Sequence, residues 1–279
     1  MVVKIVTDSS ADLSPQLIKE LGITVVPLYV RFGDEVLRDQ IDITADEFYQ
    51  RLQHDPIHPS TTQPTPQDFA NAYQKVAPEA DGIVSVHLSA KLSGTCNSAI
   101  QGKNMTAGKC PIEVIDSETL TMGLGMISIA AAKEANAGGS MEQVVDVVKK
   151  MIPRIHLLFT LDTLKYLALG GRIGKAKALL GSVLNVKPIL AIKDGEVLPA
   201  GQVRSRSKGI DRLFDFAQSA ANIQDLAVIY NTTPDEAQAL VERVTPFFTK
   251  GEIMTVRLGP MLGVHAGPGA LAVAYSQKE

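Results

Sequence analysis

Short β-branched runs and helix-period stretches alternate along almost the whole chain. Residues 2–7 are a mostly apolar run and predict a buried strand. Ser14-Pro15 caps a short helix that stops at Gly22. Residues 23–30 form a second β-branched run. Thr44-Ala-Asp-Glu47 has the spacing of a capping box and predicts a helix over 45–52. The stretch 54–65 holds three prolines and no period, so it reads as a loop, and Pro66 starts the next helix. Strands are predicted at 82–88 and 112–115. A long helix over 120–137 ends at Gly138-Gly139, and Ser140-Met-Glu-Gln143 caps another. This order predicts a mainly parallel sheet with helices on both faces.

From about Arg154 the pattern changes. Strands are predicted at 156–160, 186–192, 226–230, 252–258 and 270–275, with a helix over 204–221. Asp194-Gly195 is a hairpin signal, and Thr233-Pro-Asp-Glu236 caps a further helix. A mixed-sheet α/β domain fits this half. The expected fold is therefore α/β with two domains, 1–152 and 153–279. The apolar stretch 122–132 reads as core, with the lining of a ligand tunnel as the alternative.

Composition narrows the function classes. The chain has 279 residues, of which 45% are hydrophobic, enough for a sizeable core. A net charge of −3 gives no bulk attraction to nucleic acid or anionic membrane. Cys96 and Cys110 have neither zinc nor CxxC spacing and read as reduced thiols. No signal peptide or transmembrane segment is expected. The uncharged run 119–132 is too short to span a bilayer, and 258–277 is broken by glycines and prolines. A cytoplasmic location is expected, with transient membrane contact allowed.

Several motifs fall short of the chemistry they suggest. Gly170-Gly-Arg-Ile-Gly174-Lys175-Ala176 lacks the spacing and the Ser or Thr of a phosphate loop. Gly123-Leu-Gly125 has Ser128 where a dinucleotide fingerprint needs a third glycine or alanine. Pro56 separates His54 from His58, so no helical pair of metal ligands is expected. Ser93 and His265 could form an acyl-transfer pair, although Lys91 and Thr95 stand where a nucleophile elbow has glycines.

Three polar clusters sit between regular elements: 60–65, 92–95 and 259–269. Loops at the carboxyl ends of parallel strands are where α/β sheets bind ligands. Ser93-Gly94-Thr95 before a helix would offer amide N–H groups to an anion, or Ser93 would simply cap that helix. Arg172, Lys175 and Lys177 form one basic cluster, and Arg204, Arg206, Lys208 and Arg212 another. Each reads either as a solvated face or as a docking surface.

The chain resembles the DegV family of bacterial fatty-acid-binding proteins, carrier subunits that work with a fatty acid kinase. The resemblance rests on Thr7-Asp-Ser-Ser-Ala-Asp-Leu13, Ser60-Thr-Thr-Gln-Pro64, Leu92-Ser-Gly-Thr95, Tyr166-Leu-Ala-Leu-Gly-Gly-Arg-Ile-Gly174, Leu184-Asn-Val-Lys-Pro-Ile-Leu190 and Gly263-Val-His-Ala-Gly-Pro-Gly269. These occur in family order from near one end to the other. The resemblance implies two α/β domains, with a lipid pocket between or beside them. It implies a bound long-chain fatty acid, no cofactor or metal, and no catalytic residue of the chain's own. It implies a lipid-binding site of Thr61 and Ser93 as the main carboxylate contacts, with Thr62 and Gly94 beside them and His265 close to the head group, as a contact or as a structural hydrogen-bonded residue. A separate kinase would phosphorylate it, docking at Arg172, Arg204 and Arg206. Two rival readings stay open: a lipid hydrolase or acyltransferase using Ser93 and His265, and a binding module for a small polar metabolite.

Overall fold

A computed structural model describes residues 1–106, 108, 110–179 and 186–278. In chain order, β1 (Val3–Asp8) and a 3₁₀ turn at Ser9–Ala11 lead to α1 (Pro15–Leu21), which the Ser14 side chain caps and Gly22 ends. Next come β2 (Thr24–Val26), β3 (Tyr29–Phe32) and β4 (Glu35–Arg38). They are followed by α2 (Ala45–His54), β5 (Ser60–Thr62), α3 (Pro66–Val76) and β6 (Gly82–His87). The first half closes with α4 (Thr95–Met105), β7 (Ile112–Asp116), α5 (Met122–Asn136) and α6 (Met141–Met151). The second half runs β8 (Ile155–Thr160), α7 (Lys165–Leu169), β9 (Lys187–Lys193), β10 (Glu196–Val203) and α8 (Arg206–Gln218). It ends with β11 (Ile223–Tyr230), α9 (Pro234–Val244), β12 (Met254–Arg257), α10 (Pro260–Ala266) and β13 (Leu271–Gln277).

Among the described residues the strands form three sheets. One is parallel, in the order β2-β1-β6-β7. The second is mixed, in the order β10-β9-β8-β13-β11-β12, with β11 and β12 its parallel pair. Its β9–β10 hairpin turns at Asp194-Gly195, both residues at positive φ. The third is the small antiparallel sheet β4-β3-β5. The protein is thus a two-domain α/β fold with a parallel and a mixed sheet.

Helix α5 lies between the two larger sheets, in contact with β1 and β6 on one side and with β8, β11 and β13 on the other. That explains a helix apolar all round: Met122, Leu124, Met126 and Ile127 are all buried. Its glycines permit close approach, since a Cβ on Gly125 would meet the Ala11 carbonyl oxygen at 2.8 Å. Residues 122–132 are core, and none of them lines the leucine-walled cavity between the halves, while Met122 borders a second hollow near Asp12. The largest hydrophobic cluster accordingly draws on both halves, from Val3 to Ala274. Helices α3 and α4 contact the parallel sheet, and α8 and α9 contact the mixed sheet.

Five local expectations change. The run 23–30 is two strands in different sheets, separated at Pro27, which has no N–H to give a ladder. The expected loop 54–65 contains β5, paired with β3. Part of the cluster 259–269 is the helix α10. Thr233 precedes α9 without a side-chain cap, its hydroxyl instead accepting from Arg206. At Thr44 half of the capping box forms, Glu47 N donating to Oγ1. Among the described residues no helix is long and apolar enough to cross a membrane.

Candidate functional site: an apolar cavity with a polar mouth

A cavity of about 290 Å³ lies between the two halves. Its wall is mostly aliphatic: Leu28, Leu88, Leu92 and Leu120 from the first half face Leu157, Leu161, Leu258, Leu262 and Leu271 from the second. Sheet strands β8, β11 and β13 supply Phe159, Ile229 and Ala272. Such a wall has little to offer a polar metabolite and much to offer a hydrocarbon chain.

The polar lining includes Thr61, Thr62, Gln63, Ser93, Arg172 and His265. Thr61 and Thr62 lie on β5, held by pairing of Val30 with Thr61. Ser93 and Gly94 follow β6, at the carboxyl end of a parallel strand, and Gly94 is the N-cap of α4. His265 is in the last turn of α10. Arg172 comes from the turn after α7, which contacts α10.

Direct contacts join these groups. Thr61 Oγ1 lies 2.9 Å from His265 Nε2. Ser93 Oγ accepts from Thr95 N at 3.3 Å and lies 2.8 Å from Thr95 Oγ1. Ser93 therefore makes a local turn with Thr95 just ahead of the Gly94 N-cap, and α4 starts without a side-chain cap, while Ser93 also lines the cavity. The amides of Cys96 and Asn97 precede the first helical bond of α4, from Ser98 N to Gly94 O, so this helix start favours an anion. A Cβ on Gly94 would collide with the Gln63 side chain, which donates to Ser98 Oγ at 3.0 Å. Arg172 donates from Nη1 to Gly170 O at 2.6 Å and from Nε to Leu92 O at 3.4 Å. Its guanidinium thus ties the α7 turn to the loop that carries Ser93, while the residue stays exposed.

His265 is a neutral group. Burial, reinforced by the charges of Arg172 and His58, pushes it down to about 4. Among the described residues its Nδ1 is buried without a hydrogen-bond partner, and it lies against Gly170, where a Cβ would fall 2.7 Å from Cε1 and closer still to Nδ1. Gly170 is the only kind of residue that leaves this ring its seat. No hydrogen bond joins Ser93 to His265, whose ring contacts Thr61 instead. The two are not arranged as a nucleophile and its base.

The three polar clusters do converge on one site, as their positions between elements suggest. Thr61, Ser93, Gly94 and His265 stand together, and Thr62 is exposed beside them. The basic residues divide. Arg172 is at the cavity mouth. Arg204 is exposed. Arg206 is not a free docking group: it pairs with Glu236 at 2.6 Å and donates to Gly269 O, its side chain only 20% exposed. That ion pair joins α8 to α9 and holds the turn after α10. Gln63 and the seat at Gly170 escaped sequence reasoning. The collision that forbids a side chain at 170 involves a residue far along the chain. Of the family segment 184–190, residues 184 and 185 lie outside the described residues.

A family model described as uncharacterised protein, DegV family, matches residues 2–278. A DegV domain-containing protein of Streptomyces coelicolor is 39% identical, the match covering 99% of each chain. Among solved structures, a fatty-acid-binding DegV family protein from Thermus thermophilus is 34% identical with a TM-score of 0.91, over 99% of this chain and 100% of that one. A stearic-acid-binding protein from Eubacterium ventriosum is 29% identical with a TM-score of 0.90, over 99% of this chain and 98% of that one. With a family match along nearly its whole length and a relative well above 30% identity, this chain belongs to the DegV family.

Proposed function

We propose that this chain is a carrier for one long-chain fatty acid and presents its carboxylate to a partner kinase for acyl-phosphate formation. The observation that carries the reading is the form of the cavity: an aliphatic interior with hydroxyl, imidazole and guanidinium groups along its polar lining. The names of the two structural neighbours support the ligand class. Each buried methylene contributes about 0.8 kcal/mol, so about fourteen give on the order of 10 kcal/mol before association costs.

The carboxylate needs donors, because a buried anion without them is costly. Thr61, Ser93, the N-terminal amides of α4 and Arg172 provide them. In this arrangement the neutral His265 donates from Nε2 to Thr61 Oγ1, and the Thr61 hydroxyl donates onward to the carboxylate. Such a chain polarises each of its bonds. Nδ1 is then the bare acceptor facing Gly170, which removes the cost of burying an unpaired N–H there. Arg172, exposed at the mouth, and Arg204 on the surface are the groups a kinase would meet; Arg206 acts by holding α8 to α9. Domains 1–152 and 153–279 each contribute one wall, and the site of action is the cytoplasm.

The test is extraction of the purified protein with solvent, followed by mass spectrometry. A near-stoichiometric fatty acid is expected. A blank extract, repeated after loading with fatty acids and washing, would overturn the carrier reading.

A further inference from the structure

Of the three buried aspartates, Asp8, Asp12 and Asp39, none is part of the lining of the leucine-walled cavity, and the last two share a target. Asp12 follows the 3₁₀ turn after β1, and Asp39 follows β4; they are 5% and 1% exposed. Both point at the start of α10. Gly259 N donates to Asp12 Oδ1 at 2.9 Å, and Met261 N donates to Asp39 Oδ1 at 3.1 Å. These amides belong to the first positions of a helix, which lack partners inside it. A carboxylate from each of two distant loops supplies them.

The approach is close. A Cβ on Gly259 would lie 2.9 Å from Asp12 Oδ1 and 2.8 Å from Gln40 Nε2, so only glycine admits both side chains. Asp12 also accepts from Thr121 Oγ1 at 2.7 Å. Thr121 lines the cavity and holds φ at 45°, a conformation that is strained for a β-branched residue. Six positions beyond Gly259, the same helix carries His265 to Thr61.

We propose that Asp12 and Asp39 are positioning residues for the carboxylate site: by accepting the first amides of α10 they set the helix that seats His265 against Thr61. Burial pushes Asp12 up to about 8 and Asp39 to about 7. Asparagine at 12 keeps the shape and the acceptor for Gly259 N, while its Nδ2 turns the Thr121 contact around by donating to Thr121 Oγ1.

The proposal takes the lipid site described above as given, and the test separates the two. Asp12→Ala, Asp39→Ala and Asp12→Asn are compared by fatty-acid affinity and by ¹⁵N NMR of the His265 ring. Each Ala variant is expected to weaken binding about 10-fold, which is about 1.4 kcal/mol, and to change the ring signals. Asp12→Asn is expected to restore both readings. Folded Ala variants with wild-type ring signals would overturn the proposal. The ring signals decide this even if no fatty acid binds, which would fault the carrier reading alone. If an Ala variant does not fold, hydrogen exchange of the wild type takes its place. The Gly259 and Met261 amides are expected to be strongly protected, and fast exchange there would overturn the idea.

Discussion

Replacing Gly170 by alanine isolates the seat of His265. The backbone at 170 has φ −77° and ψ −5°, a helical conformation that alanine adopts without strain. What changes is the added Cβ, which would stand 2.7 Å from His265 Cε1. Carbon atoms rest about 3.5–4.0 Å apart, so the ring must move by about 1 Å. The Nε2–Thr61 bond, now 2.9 Å, then stretches beyond hydrogen-bond range. The ring loses its remaining partner, and Thr61 loses the group that orients its hydroxyl. Leaving such buried groups unpaired costs about 1–3 kcal/mol, which corresponds to about 5- to 150-fold in affinity where the carboxylate depends on them. Displacement of a fluorescent fatty acid measures this, with thermal melting as the control for folding. The decisive comparison is a double-mutant cycle with His265→Ala. In the His265→Ala background the added methyl has no ring to strike, so Gly170→Ala should have little further effect. Wild-type affinity in the single variant, or additive losses in the double variant, would refute the reasoning.

Ala272→Phe, on β13 in the cavity wall, should shift the extracted lipid toward shorter chains; an unchanged chain-length profile would show that the acyl chain does not run along this strand. His265 has a folded-state value of about 4 against an ordinary 6.5, so the unfolded chain binds the extra proton between those values. Its contribution to stability is complete above pH 6.5 and is lost as pH falls toward 4, by up to about 3 kcal/mol. His265→Gln should therefore flatten the decline measured by denaturant melts between pH 7 and 4.5, and an unchanged slope would count against a neutral buried ring. Arg206→Ala should destabilise by about 1–3 kcal/mol, because Glu236 is left partly buried and unpaired. Arg204→Glu should leave the melt unchanged yet slow acyl-phosphate formation by the kinase proposed as partner; an equal rate would remove Arg204 from the proposed docking surface.

What the sequence determined by itself is what local physics controls. Ser14, Pro66 and Ser140 mark helix starts because a cap, or a proline in the first turn, acts within three residues of its own position. Asp194-Gly195 marks the hairpin because both residues accept positive φ. The alternation of apolar runs with helix periods was enough to indicate a two-domain α/β fold, and the three polar clusters pointed to the site. Tertiary structure decided the rest. Residues 23–30 divide between two sheets, and 60–62 become a strand, because their partners lie in distant segments with no local period to announce them. Arg206 carries the same charge as Arg204 but meets Glu236, so one is an internal brace and the other is exposed. The seat of His265 depends on Gly170, Thr61 and the carboxylates at 12 and 39, brought together only when the chain has closed around its core. Contacts over such separations arise from packing, and packing has no signature at the scale of a few residues.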